Sequence, residues 1–128
     1  VIVWFLKEFF MAQSDDSLLL KALYELPNSR QIIANDLKDM AVFRDPYDHF
    51  VSVPEDIRCM WGKAAEILIT IENQSVNKEQ VKSMVGELRM MAEGIDRYSI
   101  LKGASKWTRN IWYAAAEILE NELQRTLH

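Results

Sequence analysis

The sequence predicts an all-α fold, a compact bundle of five to six amphipathic helices in which chain neighbours lie mostly antiparallel. Three observations carry this. Apolar residues recur at spacings of three and four along nearly the whole chain, and no segment shows the strict alternation of a half-buried strand. The helix-stopping residues are few and well separated: Pro27, Pro46, Pro54 and Gly103. Finally, 128 residues with 49% hydrophobic and 27% charged content match one domain able to bury a core unaided.

The first segment is the most apolar. Ile2, Phe5, Leu6, Phe9 and Phe10 form a helical stripe, which predicts a short helix over residues 1–12. Met11-Ala12-Gln13-Ser14 then reads like a second protein start, so within a single domain of residues 1–128 the segment is expected either to complete the core or to be an appended or partner-mimicking helix. Lys7 and Glu8 interrupt the apolar run and no basic stretch precedes it, which argues against a secretory signal, and the run is too short to span a bilayer. Ser14 or Asp15 can cap a helix carrying Leu19, Ala22, Leu23 and Leu26, which Pro27 ends.

Asn28 or Ser29 caps the next helix, with Ile33, Leu37, Met40 and Ala41 on one face, before Asp45-Pro46 stops it. Residues 44–53 form the one long loop. Pro54-Glu55-Asp56 then opens a helix whose inward face is Ile57, Met60, Trp61, Ala64, Leu68 and Ile71, reaching about Asn73. Asn77 with Gln80 is a capping-box pattern for a helix in which Val81, Met84, Val85, Leu88, Met91, Ala92, Ile95 and Tyr98 keep a period of 3.6. Gly103 closes that region. Ser105 caps a last helix carrying Ile111, Trp112, Ala115, Leu119 and Leu123.

Composition narrows the function classes. A formal net charge of -4 argues against phosphate-backbone binding as the main activity. One cysteine, Cys59, excludes an internal disulfide, and with two histidines it offers no zinc-type spacing, so no metal or cofactor is expected and the setting is a reducing, cytoplasmic one. The four glycines form no phosphate-cradling loop.

Three constellations remain. Met90 and Met91 cannot both face inward on one helix, nor can Trp112 and Tyr113 or Phe9 and Phe10, so large apolar surface is expected outside the core. The favoured reading is a non-enzymatic regulator or adaptor that docks an amphipathic helix or forms a homodimer. In it, Trp4, Phe5, Phe9 and Phe10 are the inserted face, and Met90, Met91 and Trp112 the receiving surface. The second constellation is Lys102, Lys106, Trp107 and Arg109 around a helix N-terminus, an anion-binding candidate that would serve a nucleic-acid-associated regulator. Cations there oppose the helix dipole, and an acidic side chain from a neighbouring helix is the simpler expected partner.

The third is the loop Arg44-Asp45-Pro46-Tyr47-Asp48-His49, dense in groups able to bind phosphate or move a proton. Its Arg-x4-His spacing resembles the motif of the HEPN family, small all-helical proteins of which many are ribonucleases. The resemblance implies Arg44 as transition-state stabiliser and His49 as general acid or base. The plainer expectation is that Arg44 pairs with Asp45 or Asp48 while His49 is solvated.

Overall fold

A computed structural model describes residues 23, 25, 27–42, 53–71 and 77–126, and every described element is helical. Four α-helices and one 3-10 helix are present among them: α1 (Ser29–Ala41), α2 (Glu55–Thr70), α3 (Lys78–Glu93), the 3-10 helix Asp96–Leu101, and α4 (Lys106–Thr126). The expected helix over 1–12 and the loop 44–52 lie outside the described residues. Of the helix expected up to Leu26, Leu23 and Glu25 are described and helical, and Leu23 is buried.

The helix ends follow local chemistry. Asn77 caps α3, its side-chain oxygen accepting from the Gln80 amide at 3.2 Å. Ser105 caps α4 in the same way, accepting from the Thr108 amide at 3.3 Å. Pro54 precedes α2, whose first turn carries Glu55 and Asp56 against the positive helix end. Asn28 stands at the N-cap of α1 in the left-handed region (φ 58), and its side chain caps nothing.

One boundary departs from the sequence expectation. The apolar period runs on to Tyr98, yet α3 stops at Glu93 because Gly94 turns left-handed (φ 65). Its amide donates to the Met91 carbonyl at 3.1 Å and the Ile95 amide to the Met90 carbonyl at 3.3 Å, a Schellman ending. A Cβ at Gly94 would also lie 3.1 Å from the Lys102 backbone, so glycine is required twice over. Ile95 is therefore exposed instead of inward, while Tyr98 and Leu101 stay buried on the 3-10 helix.

Cross-chain contacts fix the directions. Arg30 pairs with Glu122 and Asp36 with Trp107, so α1 and α4 run antiparallel. Asp56 pairs with Arg97 beyond the end of α3, Trp61 with Met91, and the starts of α1 and α3 lie beside the ends of α2 and α4. The result is an up-down-up-down four-helix arrangement. The closest pairings are α3 with α4 and α1 with α2, and α4 also touches both α1 and α2. Three consecutive alanines, Ala114, Ala115 and Ala116, are buried on α4, which shows burial well beyond a single helical stripe. Small side chains there let neighbouring backbones approach.

At the centre, Trp61 and Trp112 stack with ring centroids 5.9 Å apart and planes 12° from parallel. The Trp61 indole N–H donates to Met91 Sδ at 3.1 Å. Polar groups also enter the interior. Glu122 on α4 is buried and receives Arg30 from α1 and Arg125 from its own helix. Burial pushes the Glu122 carboxyl up, but hydrogen bonds from Arg125 and Arg30 outweigh it, and the net shift is below the ordinary glutamate value of 4.5. A depressed folded-state pKa contributes stability that is present above the unfolded value and lost as pH falls through the folded one. Urea unfolding from about pH 5 to about pH 3 should therefore show a steeper loss of stability in the native protein than in Glu122→Gln. Parallel acid limbs for the two proteins would contradict the network.

Candidate functional site

Val81, Met84, Val85, Leu88, Met91 and Ala92 turn inward, which leaves Lys82, Gly86 and Arg89 exposed along one edge of α3. Where this edge meets the end of α4, a groove of about 520 Å³ opens. Val85, Gly86 and half-buried Leu123 supply its apolar lining, and Lys78, Glu79, Lys82 and Gln124 its polar one. An ion pair between Arg89 and Glu120 crosses it. Both partners are well exposed, so the pair is weak and can open.

Gly86 shapes the groove. It lies in the interior of α3, where glycine costs about 0.5–1 kcal/mol relative to alanine. Among the described residues nothing lies within 4 Å of where its Cβ would be, so no contact with them demands glycine there.

A second hollow, about 350 Å³, lies between α2 and α3 over Met60 and Met84, with exposed Cys59 at its edge. Its surroundings are tied internally. Tyr98 donates to the Glu87 carboxylate, and Arg97 sits 5.2 Å above the Tyr98 ring while pairing with Asp56. Burial, followed by the Glu87 hydrogen bond, raises the Tyr98 hydroxyl pKa, and the hydrogen bond from Arg97 lowers that of Asp56. This cluster fastens the 3-10 helix to α2 and α3.

The residues singled out from sequence fall in three groups. Trp4, Phe5, Phe9 and Phe10, together with Arg44 and His49, lie outside the described residues. Met91 and Trp112 are fully buried, so the surface open to a partner does not include them, while Met90 is partly buried against the core. In the two adjacent pairs that are described, Met91 and Trp112 turn inward while Met90 and Tyr113 sit at the core's edge, and Phe9 and Phe10 lie outside the described residues. The apolar lining falls instead to Val85 and Leu123.

In the anion-binding candidate, Trp107 is 1% exposed and its indole N–H donates to Asp36 Oδ2 at 2.5 Å, so its ring offers no surface for a base. The Asp36 carboxylate reaches this turn from α1 as the acceptor for the Trp107 indole. Lys106 and Arg109 are both engaged in interactions of their own, and Lys102 is exposed. Among the described residues no group of three or more His, Cys, Asp or Glu could hold a metal ion, and no helix is long and apolar enough to cross a membrane.

No protein-family model matches the chain, and neither a curated protein nor a solved structure matches it. The described residues form an all-helical bundle with an apolar-floored groove between α3 and α4.

Proposed function

We propose that this protein is a non-enzymatic helical interaction module, a regulator or adaptor acting in the cytoplasm, that docks an amphipathic helix along α3 and α4. The observation that supports it is the groove over Val85, Gly86 and Leu123, an apolar floor between charged rims on two antiparallel helices. Helix-in-groove recognition needs that arrangement: a floor for the apolar face and a polar rim for the flanks. Trp4, Phe5, Phe9 and Phe10 are proposed to present an insertable face of the matching kind.

A fluorescent peptide of residues 1–14, made soluble by a polyethylene glycol tail, tests the reading against the full chain. Saturable anisotropy that weakens when Leu123 is changed to Glu is the expected result. No saturable rise, together with a protein that sediments as a monomer at every concentration, would refute both docking and self-association.

A further inference from the structure

We infer that the α3–α4 groove takes an acidic amphipathic helix of another protein, one that seats a large apolar side chain over Gly86 and brings carboxylates to Lys78 and Lys82. This rests on the docking reading above and specifies its partner. Lys82, Val85, Gly86 and Arg89 stand at i, i+3, i+4 and i+7 on α3, the four corners that receive a single side chain when two helices pack knobs into holes. With no side chain at one corner, the hole is wide. A leucine, methionine or phenylalanine fits it better than an alanine.

Glycine is also the worst helix former after proline, and here it answers no contact with the described residues. Close approach of a second backbone is a use for it that the groove itself supplies. The rim specifies charge. Lys78 and Lys82 lie in the first two turns of α3, where the positive helix end disfavours cations. Neither is ion-paired among the described residues. Glu79, by contrast, is favoured by the same field, and Arg89 already faces Glu120. The unbalanced charge on the rim is therefore positive, although the chain as a whole is negative.

Two helical peptides of about 14 residues, long enough to follow the groove from Lys78 to Arg89, test this. Both carry leucine at the central position, and they differ only in having Glu or Lys at the flanks. The full chain should bind the Glu peptide at least tenfold more tightly than the Lys peptide at low salt, with the gap closing as salt is added. Gly86→Ala should weaken Glu-peptide binding at least tenfold while raising the melting temperature by about 2 to 5 °C. Binding of both peptides with equal affinity, unchanged by Gly86→Ala, would overturn this inference and leave helix docking standing. Binding of neither peptide would overturn the inference, as would a lower melting temperature for Gly86→Ala. Peptide-free dimerisation that Gly86→Ala abolishes would replace the partner helix with a second copy.

Discussion

Trp61→Ala should destabilise the bundle by about 3 to 5 kcal/mol, read as a lower urea midpoint with little change in slope. Trp61 is fully buried, stacks on Trp112 and donates its indole N–H to Met91, so truncation removes contacts with two helices at once. The surrounding backbone belongs to packed helices and can collapse only partly into the space left. Against a total stability of about 5 to 15 kcal/mol, a loss of this size brings a domain close to unfolding at ordinary temperature. Trp61→Phe keeps a ring against Trp112 and should cost clearly less. Equal losses for the two variants would mean that the stack contributes nothing.

The second large effect is at Asp36. This residue is 8% exposed and accepts the Trp107 indole N–H, joining the middle of α1 to the first turn of α4. Asp36→Ala leaves a buried donor without its acceptor, which costs about 1 to 3 kcal/mol. Asp36→Asn keeps a carbonyl oxygen in the same place and should recover much of that loss. The measurement is urea unfolding of both variants. Stability unchanged in Asp36→Ala would show that the indole N–H finds another acceptor.

These two contacts show where sequence reading works and where it stops. Helix capping is local chemistry, so Asn77 and Ser105 are legible from neighbouring residues alone. The end of α3 is less so, because the apolar period continues through Ile95 and Tyr98 while Gly94 reverses the backbone. The closeness of Lys102 that reinforces this glycine depends on tertiary structure.

The site was the least legible part. Pairs such as Met90 and Met91 announce that one of them must leave the core, but not which one. Burial of Trp112 against Trp61 depends on α2 and α4 meeting, a contact between residues 51 positions apart in the chain. Asp36 and Trp107 are 71 apart, and nothing local to either residue names the other. For the groove the sequence carries one local signal, a glycine inside α3 with Lys82, Val85 and Arg89 around it. Leu123, which closes the floor, comes from the far end of α4 and could not be paired with it by pattern alone.

Mapping backbone amide shifts while the Glu-flanked peptide is titrated into isotope-labelled full-length protein tests the central claim most directly. Saturable changes grouped on Lys82, Val85, Gly86, Arg89 and Leu123 are the expected result. The Trp107 indole N–H, buried against Asp36 at the α1–α4 contact, should stay where it is. Shifts centred on the α1–α4 face, or no saturable shifts at all, would contradict the claim that α3 and α4 form a helix-receiving groove.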